Sequence, residues 1–488
     1  MKIGTTRCGL VALAVTLVAI VGCGGKSSTA TSSGGGGGTG STNNQWTWVG
    51  GSNAKLSAGT YGTQGTGSSS NIPPSRYGMA SWTDSSGNFY LFGGWTGDAS
   101  ATTSATFEND LWRYSPSSNQ WTWLSGSSSP NQSGKYGTLG QAAAGNAPGS
   151  RFNPAFWKDT SGNFWIFGGN GYDANGQIVY LSDLWKYTVS TNQWTWVSGP
   201  NANSAAGVYG TKGVAAASNS PSGRVNAVSW TDSSGNFWLF GGAGRDDGTT
   251  TCSAQLCAGD LSDLWKYTPS TGLWTWVAGP SIMNQVATYG TKGTASASNN
   301  PSARYNAVGW ADSSGNLWLF GGSTGTGSNY VPQNDLWKFS TSSGQWTWVA
   351  GSNTSDAIGV YGTLGTASAS NTPGARVGSI TWVDGSGNLW LFGGTGHDST
   401  NNSVNTLQDL WKYSPSSGQW TWVNGPNTGG GLGTYGSQGV SAASNIPGSR
   451  LEGASWVDGS GNLWLFGGIG YPASGSANTL NDLWKYQP

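Results

Sequence analysis

Charge is scarce in this 488-residue chain. Asp, Glu, Lys and Arg make up 9% of it, against roughly 25% in an ordinary soluble protein. The 21 basic residues balance the 21 acidic ones, and no basic run follows the first residues. Electrostatic binding to DNA or RNA is thereby excluded as a main function. Histidine is reduced to His397 alone, which rules out a metal centre built on several imidazoles. Only four cysteines are present. Neither a nucleophile elbow nor a phosphate-binding loop occurs, since the many Gly pairs end strands rather than open helices. No cofactor and no metal are expected.

Against these shortages stand 82 Gly and 30 Trp. A Gly- and Ser-rich chain can be disordered, but disordered chains are poor in aromatics. Here Phe, Trp and Tyr reach 12%, enough apolar area for large cores.

The N-terminus reads as an export signal. Lys2 and Arg7 precede an apolar run from Cys8 to Val21, shorter than the ~20 residues that span a bilayer. Ile20-Val21-Gly22-Cys23 resembles a bacterial lipobox, with ordinary secretion as the alternative. Residues 1–22 are therefore assigned to a lipoprotein signal peptide and Cys23 to lipidation. Gly24 follows Cys23, so the familiar inner-membrane retention signal is absent. Residues 23–43, largely Gly, Ser, Thr and Asn, form a flexible tether. The expected location is the bacterial cell envelope, at the outer membrane or cell surface, held by the lipid anchor only. In such an oxidising compartment Cys252 and Cys257 are expected to form a local disulfide. A metal site there is the weaker reading, because no His or third Cys lies near.

Self-similarity dominates residues 44–488. One unit reads Arg304 to Trp310, Asp312-Ser-Ser-Gly-Asn316, Leu317-Trp-Leu-Phe-Gly-Gly322, Asn334-Asp-Leu-Trp-Lys338 and Gln345-Trp-Thr-Trp-Val349. Apart from the Asp312 turn, each piece alternates or runs apolar like a short strand, so each unit supplies four strands. The opening Arg occurs six times, at Arg76, Arg151, Arg224, Arg304, Arg376 and Arg450, at spacings of 72 to 80 residues. Asp-Leu-Trp and Trp-Thr-Trp each occur six times as well. However, Trp-Thr-Trp begins early, at Trp46, and is missing after the last unit. Residues 45 to 49 must complete that unit, which removes open sheet edges.

The doubled Gly ending the second strand, with aromatics in the third and fourth, resembles the kelch motif. The resemblance implies an all-β fold, a six-bladed β-propeller of four-stranded kelch-like blades closed by the N-terminal strand. It covers nearly all of residues 44–488 and is specific for fold but poor for activity. Kelch-like propellers include a copper-radical galactose oxidase, a sialic-acid mutarotase and many non-catalytic binding proteins. The oxidase reading fails here, because its copper site needs two histidines and a cysteine-linked tyrosine.

In a four-stranded meander the tight turns share one face of the disc. The long connections, including an insert of about 25 residues carrying Tyr-Gly-Thr-x-Gly, share the other. Binding residues concentrate on loops held by a rigid scaffold, so the long-loop face is the expected working face. Four residues after Gly-Gly, four units carry Asp98, Asp173, Asp246 and Asp398, whereas the others have Thr326 and Pro472. Together with Arg245, Asp247 and His397 these are the binding candidates, against the plainer reading that they cap their own loops. Near the axis, the six Arg residues form a ring able to grip a carboxylate. Their repetition favours a structural role instead. Of the 30 Trp, 29 are repeat-locked and only Trp95 is extra, so filling space between blades explains them better than sugar stacking. The expectation is a monomeric binding module for a protein or glycan ligand, with no nucleic-acid partner. The alternative is a mutarotase-like or other acid–base carbohydrate enzyme using His397 with Asp398 or Arg245 with Asp246.

Overall fold

Alternating and apolar runs of four to ten residues between turn residues produce strands throughout. The computed structural model describes residues 43–99, 106–202, 205–248, 258–325, 330–400 and 404–488. The signal segment, Cys23 and nearly all of the tether, together with Cys252, Cys257 and Thr326, lie outside these residues.

The described residues are all-β and form small antiparallel sheets of the β-propeller type. In the fourth unit Val308–Ala311, Leu317–Phe320, Leu336–Ser340 and Gln345–Ala350 pair in chain order. The first hairpin is tight because Asp312 Oδ1 accepts the amides of Ser314 and Asn316, both at 2.9 Å. Six such meanders occur among the described residues. In the last one Ala454–Val457, Leu463–Gly470 and Asn478–Gln487 are joined by Gln45–Gly50 from the other end of the sequence. Trp46 pairs with Tyr486 and Trp48 with Trp484.

The core lies between neighbouring sheets. Phe89 and Leu91 of the first unit, for example, pack with Trp456 and Trp464 of the sixth. The first-strand indoles bond across the same seams: Trp230 Nε1 donates to the Trp318 carbonyl at 3.1 Å and Trp456 Nε1 to that of Tyr90 at 3.2 Å. A fully buried Trp removes about 150–250 Å² from water, which at ~25 cal/mol per Å² contributes at most about 4–6 kcal/mol. Nine indoles are this deeply buried, Trp112, Trp185 and Trp265 among them, so the seams carry much of the stability.

Two features frame the long connections. Innermost, the residue two places after each Arg has positive φ, and its amide donates to the equivalent carbonyl of the preceding unit. The bonds run Asn153 to Gly78, Asn226 to Asn153, Asn306 to Asn226, Gly378 to Asn306, Glu452 to Gly378 and Gly78 to Glu452. Gly and Asn tolerate this left-handed backbone, whereas Glu452, at φ 55°, is strained. Outermost, each insert runs along the fourth strand of the unit it introduces. Ala142–Ala143 pair with Thr195 and Trp194, and Ser441–Ala442 with Thr47 and Trp46. The inserts thus lie along the outer sheet edges.

Candidate functional site

Each Arg that opens a unit is buried, and its charge is met within that unit. Arg304 makes two parallel bonds to Asp335, Nη1 to Oδ1 at 2.6 Å and Nη2 to Oδ2 at 2.8 Å. Its remaining donors go to the Ser302 and Gly321 carbonyls and the Ser302 hydroxyl. All five guanidinium donors are therefore used. Asp335 Oδ2 also accepts the Trp337 indole N–H at 2.7 Å and the Tyr289 hydroxyl at 2.8 Å. Tyr289 belongs to the insert, so this clamp fastens the long connection to the sheet. The same Arg–Asp–Tyr clamp joins Arg76, Asp110 and Tyr61; Arg151, Asp183 and Tyr136; and Arg224, Asp263 and Tyr209. It recurs with Arg376, Asp409 and Tyr361 and with Arg450, Asp482 and Tyr435. Burial and the adjoining carboxylate push the Tyr hydroxyls well above their ordinary range, so they remain donors.

The binding candidates are spread over the long connections, and several of them bond to nearby loops. Asp173 Oδ1 accepts the amides of Asn175 and Gln177, and Asp246 Oδ1 that of Gly248. Asp98 accepts Asn478 Nδ2 at 2.7 Å, and Asp247 accepts the Ser281 hydroxyl at 2.9 Å. Arg245 lies half-buried in the same loop as Asp246 and Asp247. Asp398 accepts from Thr400, Gly429 and Asn405. Burial raises its pKa, but these bonds outweigh it and hold the carboxyl below the ordinary range. His397 Nε2 lies 3.4 Å from Asp356 Oδ1.

Three acidic residues escaped the sequence reading. Glu452 stands among the six left-handed residues and accepts from Asn153 Nδ2 at 3.0 Å and from Asn306 Nδ2. Its pKa is raised, burial outweighing those two bonds. Glu108 occupies a position that is Leu181, Leu261, Leu407 or Leu480 in four other units. Burial, and then the Asp110 charge, pushes its carboxyl up to about 7.

The third, Asp260, lies on a cleft of about 610 Å³ between the third and fourth units. It is 2% exposed. Its Oδ2 accepts the Gly325 amide at 2.7 Å, while Oδ1 has no hydrogen-bond partner among the described residues. Burial pushes this carboxyl up to about 7 despite the Gly325 bond. Around it lie Asn284, Gln285, Thr324, Gln333 and Asn353, with Val286 on the rim. A smaller cleft of about 320 Å³ contains repeat-locked residues such as Asp232, Trp238 and Lys266. Among the described residues no three His, Cys, Asp or Glu side chains gather as metal ligands. The signal for Glu108, Glu452 and Asp260 was available only as single departures from the repeat.

A family model described as the kelch motif matches residues 86–124, from the first hairpin turn of the first unit to its fourth strand. No curated protein matches the chain. The motif match and the small antiparallel sheets fit a kelch-type β-propeller. Kelch repeats generally mediate protein binding.

Proposed function

We propose that the chain is an extracytoplasmic binding module, tethered to the bacterial envelope through a lipid on Cys23, that captures protein or glycan ligands on its long-loop face. In this reading the six meanders close into one six-bladed ring, with residues 45–49 completing the last blade. Support comes from the pairing of Gln45–Gly50 with Asn478–Gln487 and from the inner hydrogen bonds that return from Glu452 to Gly78.

The observation that carries the binding role is the sixfold Arg–Asp–Tyr clamp. It fastens every insert to the sheets, so residues that differ between units stand on a fixed frame. The acid–base alternative on His397 and Asp398 has less support, because a carboxylate held low by four hydrogen bonds is a poor proton acceptor near neutral pH.

The test is binding of the detergent-solubilised full-length protein to glycan and protein panels. Capture of a ligand, lost when the long connections are altered, is the expected result. Sugar anomerisation without stable capture of any ligand would overturn the binding role. Fatty-acid labelling that persists in Cys23→Ser would overturn the anchor.

A further inference from the structure

The six units share the clamp but not the packing above it. In the fifth unit two insert glycines lie back to back: a Cβ added at Gly359 would come 3.1 Å from the Gly374 amide nitrogen. Gly374 is pressed in turn against the next loop, where an added Cβ would sit 1.9 Å from the His397 carbonyl oxygen. The sixth unit repeats this with Gly433, Gly448 and Tyr471, and the second with Gly134, Gly149 and Tyr172. At the corresponding places the fourth unit has Ala287, Ser302 and Gly325. The two insert residues carry side chains there, while the loop residue has lost its own. The 610 Å³ cleft opens there, lined by all three.

Its chemistry is specific. Among the described lining residues there is no Lys, no Arg and no carboxylate besides Asp260. A phosphate, a sulfate or an acidic sugar would find no cation among them. Amides and hydroxyls from Asn284, Gln285, Ser302, Thr324 and Gln333 surround one buried carboxyl that has an oxygen without a described partner. Such a set both donates and accepts, which suits neighbouring hydroxyl groups. The volume falls in the range of small-ligand pockets, roughly 300–1,000 Å³, and is too small for a folded partner.

We propose that this cleft is a sugar-binding site, taking one or two neutral, hydroxyl-rich units of a glycan with Asp260 at its base. The proposal rests on the binding-module reading and names where and what that module binds.

The experiment is equilibrium dialysis of the full-length protein with glucose, galactose, mannose, N-acetylglucosamine and their disaccharides. The variants are Gly325→Tyr, which installs the residue of the second and sixth units, and Asp260→Asn, which keeps an acceptor for the Gly325 amide. At least one sugar should bind, and both variants should weaken it about tenfold or more while melting no lower than the parent. Undiminished binding in Gly325→Tyr would overturn this site but leave the module reading intact. Preference for amines or acidic sugars would overturn the assigned chemistry. Binding of no neutral sugar would overturn the occupant, and only failure of the protein panel as well would overturn the module.

Discussion

The fourth and fifth units carry the same clamp, Arg304–Asp335–Tyr289 and Arg376–Asp409–Tyr361, with ion-pair distances of 2.6 and 2.8 Å. Above it they diverge. In the fifth, glycine meets glycine and a loop carbonyl presses on the insert. In the fourth, Ala287, Ser302 and Gly325 stand at those places and line a cleft with Asp260. Stability therefore resides in what the units repeat, and the proposed binding chemistry in what one unit changes.

The largest effect expected is from breaking the clamp. Asp335→Ala and Asp409→Ala each strand a buried guanidinium and should each cost about 3–5 kcal/mol, measured by urea denaturation. Equal losses are the prediction, and a clear inequality would show that the two clamps are not equivalent.

Next comes pH. Asp260 is pushed from 3.8 up to about 7 by burial, so between those values the folded chain keeps a proton that the unfolded chain releases. Stability should fall as pH rises from about 4 to about 7 and then level off, by an amount on the order of 4 kcal/mol. Glu108 adds a slope of the same sign. Asp260→Asn should remove its share in denaturation series across that range. An unchanged slope would mean that the carboxyl is solvated when folded.

The smallest effects compare the glycine contacts directly. Gly374→Ala forces a Cβ against the His397 carbonyl and should cost about 1–3 kcal/mol. Ala287→Gly, at the fourth unit's counterpart of Gly359, should cost only about 0.4–1 kcal/mol, through unfolded-chain entropy. Thermal melting of both variants measures the difference, and similar costs would remove the packing explanation for the cleft.

Much of the scaffold was legible because its signals are local. Asp312 and Asn316 announce a hairpin within five residues, and the displaced Trp46-Thr47-Trp48 announced its pairing with the C-terminal strand by arithmetic alone. The role of the insert tyrosines was not legible, since Tyr289 meets an Asp 46 residues away. Asp173, Asp246 and Asp398 stood out as charges in variable loops, yet each accepts a backbone amide of its own loop. Asp260 drew no attention because it belongs to no repeat and its importance depends on a neighbour.

Read alone, the amino-acid sequence determines the units, their strands and turns, and the residues that repeat, because alternation and turn chemistry act over a few positions. Tertiary structure alone decides which departures from the repeat meet. Asp260 of the third unit and Gly325 of the fourth are 65 residues apart in the chain and 2.7 Å apart at their bonded atoms. Only the packing of one sheet beside the next brings a buried carboxyl to the place where a loop side chain is missing.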